Sequence, residues 1–265
     1  MSTAVQPPPV LACTGVTRRF GRLAAVDDVT LSVQAGARHA LIGPNGAGKS
    51  TFFNLLSGTL RPTSGRIEMR GEDVTRRSDA WRSRAGLAKT FQHSSLFLSL
   101  SVADNVAMAA QRLSGDGTRL FRRASRCPGV DDSVDRCLRQ TGLTGRAYAR
   151  VSDLSHGERR QLEVAVALAT DPRLLLLDEP TAGMSAAESG AFAELVESLP
   201  HEVTVLLIEH DLDVVFRLAT RISVLHLGRL LADGTAEDVR ADEAVQQAYL
   251  GTGRTRELFL PAVQT

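Results

Sequence analysis

Continuous apolar runs alternate with amphipathic stretches through the second half of the chain. Leu174 to Leu177, Val203 to Ile208 and Arg221 to Leu225 are dominated by successive apolar side chains, the pattern of strands covered on both faces. Between them, Ala186 to Ser198 and Leu212 to Ala219 have helical spacing. Strand and helix in alternation predict a doubly wound α/β core with right-handed crossovers. Nearer the start, Val26 to Val33 and Arg38 to Ile42, separated by Ala35-Gly36, predict short strands. Ile67-Glu68-Met69-Arg70-Gly71 predicts another, ending at a glycine turn. A helix from near Lys49 carries Phe52, Phe53, Leu55 and Leu56 and stops at Gly58, where the missing Cβ permits a left-handed cap. From about Ser78 to Gln140, alanine, leucine and arginine at loosely helical spacing predict a helical insert, broken at Cys127-Pro128-Gly129.

Composition narrows the classes. At 265 residues, with 43% hydrophobic and 23% charged positions, the chain is sized for one large domain or a core with a subdomain. A formal net charge of +1 gives no global reason to bind nucleic acid. The apolar runs fall far short of the ~20 residues that cross a bilayer. The first nine residues lack the basic and apolar regions of a secretory signal, so a cytosolic location is expected. Cys13, Cys127 and Cys137 contain no CxxC pair and support neither a disulfide framework nor a zinc site. Arginines cluster at Arg76-Arg77, Arg82 and Arg84, and at Arg122-Arg123 and Arg126. A solvated helix face is the first reading of both clusters, with acidic lipid or a membrane partner the alternative.

Candidate chemistry begins at Gly43-Pro44-Asn45-Gly46-Ala47-Gly48-Lys49-Ser50, a full G-x-x-x-x-G-K-[ST] match after the strand Ala40-Leu41-Ile42 and before a helix. Such a loop turns backbone N–H groups toward phosphate oxygens at a positive helix end, Lys49 adds a point charge, and Ser50 is placed to ligate Mg²⁺. Lys49 and Lys89 are the only lysines in an arginine-rich chain, which suggests a geometric need for a compact ammonium at Lys49. A second motif, Leu174 to Leu177 followed by Asp178-Glu179-Pro180, puts two carboxylates at the end of a buried strand, where α/β sheets bind ligands. With a phosphate loop present, Asp178 is expected to hold magnesium and Glu179 to polarise an attacking water.

A third motif, Leu154-Ser155-His156-Gly157-Glu158-Arg159-Arg160-Gln161, leads into a helix just before the acidic strand. Together the three resemble the nucleotide-binding subunits of ABC transporters, from roughly Leu11 to Gly251. Thr90-Phe91-Gln92, Glu179 to Met184, Ile208-Glu209-His210-Asp211 and Gln247 to Gly251 look most like the LivG-type ATPases of branched-chain amino acid importers, with urea and short-chain amide importers closely similar. The resemblance implies a P-loop NTPase core of RecA-like type with an antiparallel β subdomain and a helical subdomain at about 78–158. The ATPase domain would span 11–250, between a flexible lead-in at 1–10 and a tail at 251–265. It further implies ATP and Mg²⁺ as ligands, with Thr51 joining the loop in binding nucleotide and Phe20 stacking on adenine. Read alone, Phe20 fits a core position equally well. Gln92 would sense Mg²⁺ and the attacking water, His210 would lie near the γ-phosphate, and Ser155 and Gly157 would contact ATP held by an opposing subunit. Implied partners are a separate membrane permease, a second ATPase subunit packed head to tail, and indirectly an external substrate-binding protein, with no nucleic acid. The implied site of action is the cytoplasmic face of the membrane. His156, Glu158 and Ser185 depart from the family's usual residues, and Glu158 brings a negative charge toward a nucleotide. The insert around 111–130 is also longer than typical. A soluble, non-transport ABC ATPase would usually carry two cassettes or a long coiled coil, and a switch GTPase would need an N-K-x-D motif; none of these occurs.

Overall fold

A computed structural model describes residues 8–90, 96–111 and 129–249. Gln92, the Arg122, Arg123 and Arg126 cluster, Cys127, most of the long insert and the tail from Gly251 lie outside the described residues.

Strands β1 (Leu11–Phe20) and β2 (Leu23–Val33) form an antiparallel pair, and β3 (Arg38–Ile42), buried throughout, runs into the glycine-rich loop and α1 (Lys49–Ser57). β4 (Ser64–Met69) and β5 (Glu72–Asp73) complete an antiparallel sheet in the order β2-β1-β4-β5. Next come α2 (Asp79–Arg84), β6 (Leu87–Lys89), α3 (Val102–Gln111), α4 (Val130–Gln140), α5 (His156–Leu168) and β7 (Leu174–Asp178). The chain continues through α6 (Ala186–Ser198), β8 (Thr204–Ile208), α7 (Leu212–Leu218), β9 (Arg221–His226), β10 (Arg229–Gly234), α8 (Ala236–Ala241) and α9 (Glu243–Tyr249). The second sheet has the order β10-β9-β3-β8-β7-β6, parallel except for the β9–β10 hairpin at one edge.

The continuous apolar strands are continuous because both faces are covered. Leu174 and Leu176 of β7 join a cluster with Phe52, Phe53, Leu55 and Leu56 of α1 and the antiparallel sheet, whereas Leu175 and Leu177 join a cluster with the helices of the other side. Three features differ from the sequence expectation. β1 was not expected, because register shifts against β2 between Cys13 and Arg19 erase the alternation that marks a strand. The stretch from Ser78, expected to be helical, contains β6, which is too short to show a period and pairs with β7 at the sheet edge. Arg82, expected on a solvated face, is fully buried. The chain already packs at Val10, which is buried and hydrogen-bonds Val33. Cys13 and Cys137 are buried free thiols, and burial pushes Cys13 up to about 12.

Candidate functional site

The phosphate loop is set by what surrounds it. A Cβ on Gly43 would meet the Leu225 carbonyl oxygen at 2.1 Å and one on Gly48 the Ala25 carbonyl oxygen at 2.3 Å, and both residues have positive φ, so neither position takes a side chain. The Ala47 carbonyl accepts from Gly228 N–H at 2.9 Å, and the Gly228 carbonyl from Asp27 N–H at 2.8 Å. The β9–β10 turn thus ties the loop to β2. Tyr249, at the end of α9, hydrogen-bonds the Gly43 backbone, while burial pushes its phenol up. Lys49 is buried inside the curl and donates to the Gly43 and Pro44 carbonyls at 2.5 and 3.1 Å. Burial lowers its pKa, while Glu179 and Asp178 oppose that shift. The cation expected to meet phosphate therefore faces both carboxylates of the acidic motif. Ser50 and Thr51 follow in the first turn of α1, which carries no acidic side chain there to repel an anion.

Asp178 ends β7, and burial raises its pKa against the pull of Lys89, Arg160 and Lys49. Its Oδ1 is buried and accepts no hydrogen bond among the described residues. An orphaned carboxylate oxygen beside a phosphate loop suits a hard cation that binds through one or two protein oxygens and substrate phosphates, so Asp178 and Ser50 fit Mg²⁺. Lys89, the other lysine, donates to Asn54 Oδ1 at 2.8 Å and lies 5.2 Å from the Phe53 ring centroid, joining β6 to α1 near Asp178.

Glu179 follows with φ 46°, an uncommon conformation for a residue with a side chain. Its N–H donates to the Ile208 carbonyl at 2.9 Å. The fully buried Glu209 then bridges two loops: Oε1 accepts from Thr181 N–H at 3.0 Å and Thr181 Oγ1 at 2.8 Å, and Oε2 from His210 N–H at 3.2 Å. The backbones flanking Glu179 and His210 are thereby one hydrogen-bonded unit. In the sequence Glu209 stands out only as part of the Ile208 to Asp211 motif; an acid beside a buried apolar strand is the signal it carries.

Ser155 caps α5 in a reciprocal box, with Glu158 N–H on Ser155 Oγ at 3.2 Å and Ser155 N–H on Glu158 Oε2 at 2.8 Å. Glu158 also takes Arg146 Nε at 2.7 Å, and this hydrogen bond, followed by the one from Ser155, lowers its pKa. Ser185 caps α6 in the same way with Glu188, whose Oε1 would lie 3.1 Å from a Cβ at Gly157. The two helix starts stand side by side. Phe20 is 46% exposed at the end of β1, with the Arg18 guanidinium 4.6 Å above its ring, so the core reading of Phe20 does not hold. His210 is exposed at the end of the β8 segment, and Gln92 lies outside the described residues.

Residues 26–182 match the ABC transporter family, and residues 229–255 match the branched-chain amino acid ATP-binding cassette transporter family. The high-affinity branched-chain amino acid transport ATP-binding protein LivG of Salmonella typhimurium is 38% identical over 255 residues, covering 92% of this chain and 98% of its own. BraF of Pseudomonas aeruginosa, described in the same words, is 39% identical over 252 residues with the same coverage of 92% and 98%. The solved structure of MJ1267, an ATP-binding cassette of an ABC transporter, matches with a TM-score of 0.81 at 26% identity, covering 92% of this chain and 99% of that one. No helix among the described residues is long and apolar enough to cross a membrane. With the phosphate loop and acidic strand inside the family match and relatives aligned along nearly their whole length, the chain belongs to the ATP-binding cassette family of ABC transporters, as a nucleotide-binding subunit that couples ATP hydrolysis to transport.

Proposed function

We propose that this subunit binds Mg²⁺-ATP and drives a separate membrane permease from the cytoplasmic face, importing branched-chain or related amino acids. The observation that carries the chemistry is that Lys49, held by the loop carbonyls of Gly43 and Pro44, has Asp178 and Glu179 near enough to act on its charge. Loop N–H groups and Lys49 hold the phosphates, with Phe20 available to stack on adenine. Ser50 and Asp178, with Gln92, would hold Mg²⁺, which when bound offsets phosphate charge. Glu179 orients the attacking water and takes its proton, and His210 stands at the γ-phosphate on the loop that Glu209 braces. Ser155 and Gly157 of a second subunit close the site from outside. The amino acid cargo rests on LivG and BraF, both named for branched-chain amino acid transport, and on the matching segment at 229–255. An external binding protein would deliver it.

One surface supports docking of the permease. Ala80 of α2, Leu87 of β6, Leu96, Met108 of α3 and Val166 of α5 line a mainly apolar hollow of about 460 Å³, with exposed Phe97 and Leu98 nearby in sequence. Glu179→Gln tests the chemistry: the variant should bind ATP, turn over ~10²-fold slower or worse, and accumulate as an ATP-bound dimer on size exclusion. Turnover at the native rate would remove Glu179 from the mechanism.

A further inference from the structure

The segment carrying Ser155 and Gly157 has a difficulty of its own. On the reading proposed above, on which this inference rests, the start of α5 meets the phosphates of ATP held by a second subunit. A polyanion favours a helix N-terminus that keeps its positive potential. Glu158 stands at the third helical position and Glu188 sits against Gly157, so two carboxylates border that surface. Glu188 is occupied by the Ser185 N–H and Oγ, both on Oε2, at 2.9 and 2.8 Å, and these hydrogen bonds, with a smaller contribution from His156, lower its pKa.

Glu158 is handled differently. Arg146, in the single turn Thr144–Arg146, reaches across twelve residues of sequence with Nε on Oε1 at 2.7 Å and Nη2 on Oε2 at 3.3 Å. Oε2 also takes the Ser155 N–H. Both oxygens are used and the charge has a guanidinium laid against it in a two-pronged contact. A neutral glutamine could make the same capping contact without a cation, so the capping geometry alone does not require Arg146.

We infer that Arg146 is a positioning residue for the composite ATP site: it cancels the Glu158 charge and fixes its carboxylate on the Ser155 amide, so that the α5 start can approach the phosphates of the opposing subunit. Removing Arg146 leaves an uncompensated acid facing a polyanion, and like charges brought together across an interface oppose association. The defect belongs to closure of two subunits. Binding of ATP by one subunit, made on its own phosphate loop, is untouched.

The test is a double-mutant cycle in the full chain carrying Glu179→Gln, with Mg²⁺-ATP as ligand and sedimentation as readout. Arg146→Ala should weaken ATP-dependent dimerisation about 10-fold. With Glu158→Gln also present, the same Arg146→Ala change should cost less than about 2-fold, because the half-exposed guanidinium then has no carboxylate to hold it at the α5 start and turns into solvent. ATP affinity of the monomer, followed by fluorescent-nucleotide displacement, should stay constant across the set. Equal losses in both Glu158 backgrounds, tracking the melting temperature, would make Arg146 a support of the fold alone and overturn the inference. So would wild-type dimerisation in Arg146→Ala. If the parent forms no ATP-dependent dimer at all, the composite site itself fails and this inference with it.

Discussion

Arg82 occupies a position that charge alone would have put in water. Its guanidinium is fully buried and donates to the Leu55 and Leu56 carbonyls at 2.9 and 2.6 Å and to the Val74 carbonyl at 2.7 Å. Leu55 and Leu56 belong to the last turn of α1; the Leu55 carbonyl also takes the Gly58 N–H at 3.2 Å, and Arg82 completes the cap of the helix that carries Lys49. Burial lowers its pKa to about 10, which still leaves it charged at neutral pH. Arg82→Met keeps the stem and removes the fork, taking the guanidinium donor from the Leu56 and Val74 carbonyls while Leu55 keeps the Gly58 N–H. The expected loss is about 2–4 kcal/mol of stability in a urea titration, with the slope unchanged. The arginine-rich stretch concealed this role because spacing cannot tell a guanidinium that snorkels outward from one that turns inward onto carbonyls.

At the scale of elements, the loops after β7 and β8 act together through Glu209. Burial raises its pKa although Thr181 and His210 donate to it, so the ionised form is the one that folding penalises. A group whose folded pKa is raised contributes stability that is complete below the ordinary carboxylate range and is lost as pH rises through the raised value. Glu209→Gln removes that loss, so the melting-temperature difference between variant and native chain should shift in the variant's favour from about pH 4 to about pH 8. Activity should move the other way. An amide oxygen serves Thr181, but the NH₂ group then faces the His210 N–H, and kcat should fall about 3- to 10-fold with KM little changed. The opposite shift together with native turnover would contradict the assignment. This bridge was not legible in the sequence, since Thr181 and Glu209 meet only when β7 and β8 pair. The strands themselves were legible: Leu174 to Leu177 are apolar at every position and Val203 to Ile208 at all but Thr204, because the sheet is covered twice, whereas β1 was lost to its register shifts. The loop at Gly43 to Ser50 was legible to the residue, because its backbone geometry admits so few alternatives.

At the scale of the whole molecule, the proposed mechanism divides the ATP site between two unlike surfaces of one chain. On that proposal the loop, Asp178 and Glu179 make one half, and the starts of α5 and α6, where Ser155, Gly157 and Met184 line one hollow, make the other. If one ATP needs a half-site from each of two chains, defects in different halves should complement. Lys49→Ala takes the cation from the loop and should abolish that chain's ATP binding or weaken it strongly. Ser155→Arg leaves the loop intact but blocks the surface offered to the partner's nucleotide. Each variant alone should be nearly inactive. Mixed in equal amounts, they form heterodimers in which the intact loop of one chain faces the intact Ser155 segment of the other, so one of the two sites is whole. ATPase activity should then recover to roughly a quarter of native, since about half of randomly paired dimers are mixed and each holds one good site. The recovery should fall off at low protein concentration, where association is lost by mass action. Activity that stays at the sum of the separate variants, in a mixture shown to contain heterodimers, would mean that each chain completes its own site.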